Sequence, residues 1–189
     1  MNNKKLILII LCVIALAGFF LPAMRLNVSF FGLGTSTTFS LATFFNPPDN
    51  PFGAMDLPGL QQRDLRDLID LSGDDNPFAD VGARLVASIG AYFVTFILLV
   101  IALVFALMDK LRRASIALLS IAFVLFAYAG YAITTIPALM QEAFENFLGF
   151  FARLLDLSNI ISITLGIGFW ITLAAIACAL VMRVIKHDN

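Results

Sequence analysis

The chain has 189 residues, of which 60% are hydrophobic and 13% charged, with a formal net charge of −1 at pH 7 and a mean hydropathy of +0.94. Soluble domains carry about 25% charged residues, so this composition indicates an integral membrane protein and excludes an ordinary soluble domain. The near-neutral charge also argues against a nucleic-acid partner attracted by overall basicity. The lipid bilayer is therefore the first expected partner.

Four apolar segments are predicted to cross the bilayer, because a spanning helix needs about 20 apolar residues. A basic start followed by an apolar stretch is also typical of a signal peptide. However, Leu21-Pro22-Ala23-Met24 lacks a small-x-small cleavage site, so we expect an uncleaved first span. The predicted spans are residues 6–24, 83–108, 114–136 and 157–182, separated by an outer loop 25–82, a cytoplasmic hairpin 109–113 and a second outer loop 137–156.

The charged residues divide between the two sides of this predicted topology. Eleven of the thirteen acidic residues lie in the two long loops, whereas seven of the twelve basic residues lie at the two ends of the chain and in the short hairpin. The positive-inside rule then predicts that both termini are cytoplasmic, in a bacterial inner membrane or a plasma membrane. These seven basic residues are Lys4, Lys5, Lys110, Arg112, Arg113, Arg183 and Lys186.

The long outer loop contains signals for local structure. Residues 26–30 alternate apolar and polar, Gly32 and Gly34 favour a turn, and residues 35–41 are rich in β-branched and aromatic types, which predicts a β-hairpin. Residues 57–71 and 137–155 each segregate apolar from polar side chains at helical spacing. The predicted fold is an all-α membrane protein, a single antiparallel four-helix transmembrane bundle with a small extracytoplasmic β-hairpin and two amphipathic helices.

Small residues recur at helical spacing in two of the predicted spans. Such stripes allow helices to approach closely in a membrane, so we expect them to form helix packing faces. The candidates are Ala83, Ala87 and Ala91 in the second span, and Gly168, Ala175 and Ala179 in the fourth.

Residues with metal-binding or nucleophilic chemistry are few. Asp70, Asp74, Asp75 and Asp80 are weak calcium candidates, but their spacing does not match a calcium loop, so a solvated acidic loop is expected instead. His187 lies near the C-terminus without neighbouring ligand types other than one aspartate. Cys12 and Cys178 fall within predicted spans, where thiols usually pack as small hydrophobes. We therefore predict no metal and no cofactor.

The predicted spans carry no charged residue or histidine in their cores, although transporters usually mark an ion path with such residues. Arg84, at the outer end of the second span, is the nearest exception, and we interpret it as snorkelling to the interface or pairing with Asp80. The outer loops offer no nucleophile with a histidine base, so we do not expect an enzyme.

The predicted layout resembles that of claudins and PMP22-like tetraspan proteins. The shared features are four spans, both termini inside, a long first outer loop that opens with strands, and a shorter second outer loop. The tryptophan and the two cysteines of the claudin first loop have no counterparts in residues 25–80, so the resemblance implies a topology and no site residues. The run from Phe20-Leu21-Pro22 to Phe39-Ser40-Leu41 is also similar to a pattern in four-span bacterial membrane proteins.

Three functional hypotheses remain open. The first is a non-enzymatic interaction or assembly protein that meets a protein partner or further copies of itself through apolar side chains of the outer loop, with Phe30, Phe31, Phe39, Phe44, Phe45 and Phe52 as candidates. The second is a small channel or transporter subunit whose path is lined by Ser88, Thr95, Ser120, Thr134, Thr164 and Thr172. The third is a lipid-handling or metal-dependent membrane enzyme that uses the acidic loop.

Overall fold

The computed structural model describes residues 3–30, 33–45, 79–108, 112–148 and 160–185. Within these ranges the chain is mainly helical and contains one small sheet. The predicted amphipathic helix 57–71 lies outside the described residues, as do residues 109–111 of the predicted hairpin. The helices are α1 (Asn3–Gly18), α2 (Leu41–Phe45), α3 (Ala79–Met108), α4 (Arg112–Leu148) and α5 (Ile167–Val184), and the strands are β1 (Met24–Phe30), β2 (Leu33–Phe39) and β3 (Ile161–Leu165).

Three of the described helices, α3, α4 and α5, are long and apolar enough to cross a membrane. Helix α1 is also apolar but has 16 residues, which at 1.5 Å per residue is about 24 Å. The prediction that a first spanning helix extends to Met24 is therefore wrong in its end point. The helix stops at Gly18 because the following residues turn towards the sheet, and Met24 is the first residue of β1.

The segment before the last helix differs from the predicted span at 157–182. Residues Ile161–Leu165 form strand β3, and the helix begins only at Ile167. β3 alternates partly buried and exposed side chains, and it pairs with the edge of β1 that β2 leaves free. A strand is favoured here because β1 supplies a hydrogen-bonding partner for backbone groups that a helix would satisfy internally.

Helix α4 continues through the position where the third span was predicted to end. It has 37 residues and contains Pro137 in its interior, so residues 137–148 do not form a separate amphipathic helix. Proline removes one intrahelical hydrogen bond, but membrane helices tolerate this where neighbouring packing supports them. Ile136 and Ala143, on either side of the proline, are both buried. Tertiary packing therefore keeps the helix continuous.

The three strands form an antiparallel sheet in the order β2-β1-β3. The predicted hairpin is confirmed as β1 and β2, and the third strand comes from the start of the segment predicted as the fourth span. At the centre, Arg25 lies opposite Thr38 on one side and Thr164 on the other. One face of the sheet is polar: the Asn27 side chain is partly buried and donates to the Ser162 hydroxyl at 3.3 Å. The exposed side chains of this face are Arg25, Ser29, Ser36, Thr38, Ser162 and Thr164.

Lys5, Arg113 and Arg183 lie at one end of the four long helices, which we call the basic end, and the sheet lies at the other, the sheet end. The Lys5 Nζ donates a hydrogen bond of 2.6 Å to the Leu107 carbonyl, so α1 begins where α3 ends. This contact also places a cation at the negative end of the α3 dipole. Helix α4 starts beside this point, and α5 runs back towards it from Gly168, which contacts Gly18 at the end of α1.

An aromatic cluster fills the core between the helices near the sheet end. Phe126 is 1% exposed and stacks on Phe169 with ring centroids 4.6 Å apart and an interplanar angle of 14°. Its ring also lies 5.3 Å from Phe19 and 5.8 Å from Tyr92. Offset and tilted aromatic pairs of this kind stabilise a core beyond the area that they bury. The cluster thus joins α1, α3, α4 and α5 at one level.

Candidate functional site

The short connector from α1 to β1, residues 19–23, holds the sheet against the helices. The Phe19 carbonyl accepts hydrogen bonds from the Leu41 backbone N–H at 2.8 Å and from the Tyr92 hydroxyl at 3.3 Å. The Ala23 N–H donates to the Phe39 carbonyl, and the Ala23 carbonyl accepts from the Gly166 N–H, both at 2.8 Å. Backbone bonds on both sides of the connector therefore dock the sheet rigidly onto the helix ends.

Close packing of α1 against α5 supports this junction. A Cβ on Gly168 would lie 2.6 Å from the Gly18 carbonyl oxygen and 2.8 Å from that of Leu21, and a Cβ on Gly18 would collide with the Thr172 hydroxyl. The Thr172 hydroxyl donates to the Ala15 carbonyl at 3.2 Å. The two helices approach this closely only because neither glycine has a side chain.

A cleft lies between the sheet and the helices, just beyond the aromatic cluster. Its cavity volume is about 20 Å³, room for about one water-sized group, and the cleft is partly open at the surface. The lining is almost entirely apolar. The lining residues are Ala23, Met24, Phe39, Ser40, Ser88, Ile89, Tyr92, Ala129, Gly130, Ile133, Leu165 and Phe169.

Arg84 and Thr135 form a hydrogen bond to each other on the two helices that supply Ser88 and Ile133 to the cleft. Arg84 lies one turn before Ser88 on α3, and Thr135 lies two residues after Ile133 on α4. The Arg84 Nη1 donates a hydrogen bond of 3.0 Å to the Thr135 Oγ1. The predicted pairing with Asp80 does not occur in the structure. Asp80 is exposed in the first turn of α3, and within the described ranges no carboxylate pairs with Arg84.

The predicted small-residue stripes are only partly placed at helix contacts. In α5, Gly168, Ala175 and Ala179 are buried, and in α3 Ala91 is buried, whereas Ala83 and Ala87 are exposed. Ala83 and Ala87 therefore do not belong to the buried face of α3. The buried face of α3 instead follows Ser88, Ala91, Tyr92, Thr95, Leu99, Ala102 and Ala106, because the helix turns these positions towards α1 and α4.

The phenylalanines predicted to form an interaction surface are mostly not placed by the structure. Phe31 and Phe52 lie outside the described residues, as do the side chains of Phe30, Phe44 and Phe45, although their backbones belong to β1 and α2. The Phe39 side chain is partly buried and lines the cleft. The Phe39 side chain therefore lies on the face of the sheet that is turned towards the helices, and not on the exposed face.

The hydroxyls proposed to line a path differ in burial. Ser88, Thr95 and Thr172 are buried, and each hydroxyl donates to a backbone carbonyl, that of Arg84, Ala91 and Ala15 respectively. Thr134 and Thr164 are exposed, and Ser120 is partly buried. The inward-facing hydroxyls are thus engaged in structural hydrogen bonds.

The other candidate residues are the aspartates proposed for calcium, His187 and the two cysteines. Asp70, Asp74, Asp75 and His187 fall outside the part of the chain that the structure describes, and within that part no group of three or more His, Cys, Asp or Glu side chains is placed to hold a metal. Cys12 is buried against the helix core, whereas Cys178 is exposed on α5.

Strand β3 has a local signal in the sequence. The alternation Ile161-Ser162-Ile163-Thr164-Leu165 has the period of a strand and marks β3 within an otherwise apolar run. The contacts between Arg84 and Thr135 and among the aromatic residues have no such signal, because their members come from distant parts of the chain.

The apolar helices indicate a multi-pass helical membrane protein, and the connector 19–23 holds a small sheet at one end of these helices. Comparisons of the chain with protein-family models, with curated proteins and with solved structures find no match.

Proposed function

We propose that the chain is a non-enzymatic membrane protein that assembles with a protein partner or with further copies of itself through its sheet and its helix faces. The observation that carries this proposal is a preorganised sheet whose edge strand β3 has no second strand partner among the described residues. Among the described residues, β2 and β3 each pair with β1 alone. An open strand edge with its backbone groups in place is a site for strand addition by another chain.

Rigid docking of the sheet supports the same proposal. Binding costs less free energy when the interacting surface is already ordered, because fewer backbone and side-chain rotamers are lost. The connector bonds to Phe39, Leu41 and Gly166 supply this order. The polar face around Arg25 would then set which partner fits, through hydrogen bonds rather than through apolar burial.

A charge placed on an open edge tests this proposal. Ser162→Lys together with Thr164→Lys puts two cations on exposed positions of β3, and we expect them to reduce co-purification of the partner, or of tagged copies of the chain, at least about tenfold after cross-linking in native membranes. Asn146→Lys, at an exposed position of α4, is the control and should leave assembly unchanged. If the double variant assembles normally, the sheet is not the contact surface.

We further propose that α1 crosses the membrane together with α3, α4 and α5, with the sheet outside and the basic end in the cytoplasm. Helix α1 is short, but Lys5 reaches the end of α3 and Gly18 reaches the start of α5. It therefore runs between the same two levels as α5. Lys5, Arg113 and Arg183 at the basic end agree with the positive-inside rule.

Cysteine labelling tests this orientation in a variant without the native cysteines, Cys12→Ala and Cys178→Ala. Asn3→Cys and Ser36→Cys flank α1. We expect a membrane-impermeant maleimide to label Ser36→Cys in intact cells and Asn3→Cys only after lysis. Ile185→Cys, just beyond α5, should behave like Asn3→Cys. Labelling of Asn3→Cys and Ser36→Cys from the same side would show that α1 does not cross.

A further inference from the structure

The cleft wall is almost entirely apolar and holds three hydroxyls, of which that of Ser40 is one and those of Ser88 and Tyr92 are hydrogen-bonded within the protein. The Ser88 hydroxyl donates to the Arg84 carbonyl at 2.6 Å, and the Tyr92 hydroxyl donates to the Phe19 carbonyl. Both hydroxyls are thus already used inside the protein. A water molecule needs two to four polar partners to be stable in a cavity. The cleft therefore favours an apolar occupant over water.

One helical turn from Ser88 of the cleft, Arg84 and Thr135 form a polar pair. The Thr135 hydroxyl donates to the Ala132 carbonyl at 2.8 Å, so its oxygen is left to accept the bond from Arg84. A guanidinium has five N–H donors, and this bond uses one of them. With no carboxylate paired to it among the described residues, Arg84 carries a positive charge that suits an anionic group one helical turn from the apolar cleft.

Arg84 and the cleft lie at different depths in the membrane, and these depths match those of a phospholipid headgroup and its acyl chains. Arg84 lies 24 residues before Met108, or about 36 Å along α3, and Tyr92 lies 16 residues before it, or about 24 Å. The hydrocarbon layer is about 30 Å thick. If Met108 lies at one boundary, Tyr92 is within the hydrocarbon and Arg84 is at the level of the opposite headgroups. This alignment is the same whichever side the sheet faces.

We propose that the cleft and Arg84 form a binding site for one membrane phospholipid. The phosphate accepts hydrogen bonds from the Arg84 guanidinium, and one acyl chain lies along the open side of the cleft against Ile89, Tyr92 and Ile133. Charge-assisted bonds from arginine to phosphate are short and strong, and the apolar wall positions the chain. The site does not depend on the assembly function proposed above.

Native mass spectrometry of the full-length protein, extracted in mild detergent, measures this directly. We expect one phospholipid to remain on the wild-type chain and Arg84→Gln to reduce the retained fraction at least about tenfold, which corresponds to about 1.4 kcal/mol. Arg84→Lys keeps the charge and should retain part of the binding. Arg25→Gln removes an exposed cation from the sheet and should have no effect.

A second variant tests the apolar part separately. Ile89→Phe adds volume at the cleft wall, and we expect it to reduce lipid retention while Arg84 is intact. Val86→Phe, at a position of the same helix that is 67% exposed, is the matched control and should not. A phospholipid carrying a photoreactive group in its acyl chain should cross-link to residues 88–92 and 129–133.

Two results would overturn the proposal. In the first, retention is the same in Arg84→Gln, Ile89→Phe and wild type, and cross-links spread evenly over the exposed faces of the helices. In the second, inorganic phosphate competes fully with the phospholipid and Ile89→Phe binds normally. The site would then recognise a free anion and not a lipid.

Discussion

Gly168→Ala is expected to lower the free energy of unfolding by about 1–3 kcal/mol, the usual cost of inserting a methyl group into a closely packed contact. The new Cβ would lie 2.6 Å and 2.8 Å from the carbonyl oxygens of Gly18 and Leu21. Backbone atoms cannot rotate away as a flexible side chain can, so α5 must move from α1. The Gly168 N–H bond to the Pro22 carbonyl uses only backbone atoms, so the donor remains.

Gly90→Ala provides the matched control for this substitution. Gly90 lies within α3, and a Cβ there would meet nothing within 4 Å. Alanine is favoured over glycine in a helix by about 1 kcal/mol, so this variant should be neutral or more stable. Unfolding in mixed micelles, followed by the fluorescence of the single tryptophan, measures both. Equal stability of the two variants would show that α1 and α5 do not touch at Gly168.

Phe126→Ala is expected to destabilise the protein by about 3 kcal/mol or more, as truncation of a buried phenylalanine commonly does. The ring contacts Phe19, Tyr92 and Phe169, so its removal leaves a cavity at the level where the four helices meet. Helix association in lipid lacks the hydrophobic driving force that operates in water. The cost here arises from lost dispersion contacts and from the cavity.

Phe20→Ala is the control because it makes the same chemical change at a position that is 55% exposed. Its ring lies 6.4 Å from that of Phe96, a looser contact than any within the cluster. We expect a loss well below that of Phe126→Ala in the same mixed-micelle unfolding experiment. A comparable loss for both variants would mean that the cluster does not hold the helices together.

The apolar helices and the hairpin were predictable because their signals are local. A span is recognised from about 20 consecutive apolar residues, and the hairpin from the alternation in residues 26–30 with glycines at the turn. These properties belong to short windows of sequence. Pairing of β1 with β2 in the structure confirms the hairpin, and α3 and α5 cover most of two predicted spans.

The buried face of α3 was not predictable in the same way. In a soluble protein the buried face differs from the exposed face in polarity, but both faces of a membrane helix are apolar. Ala83 and Ala87 therefore looked as suitable for packing as Ala91, although only Ala91 is buried. Which small residues pack is decided by the rotation of the helix against its neighbours.

Hydropathy and charge are sums over neighbouring residues, and they were sufficient to indicate a membrane protein with apolar helices and a strand hairpin. The third strand, the continuity of α4 through Pro137 and the meeting of Arg84 with Thr135 were decided only in three dimensions. Each depends on a partner far away in the chain: a free strand edge, a packed neighbour or a hydroxyl on another helix. Such partners change which local conformation has the lowest free energy, and no short window of sequence contains them.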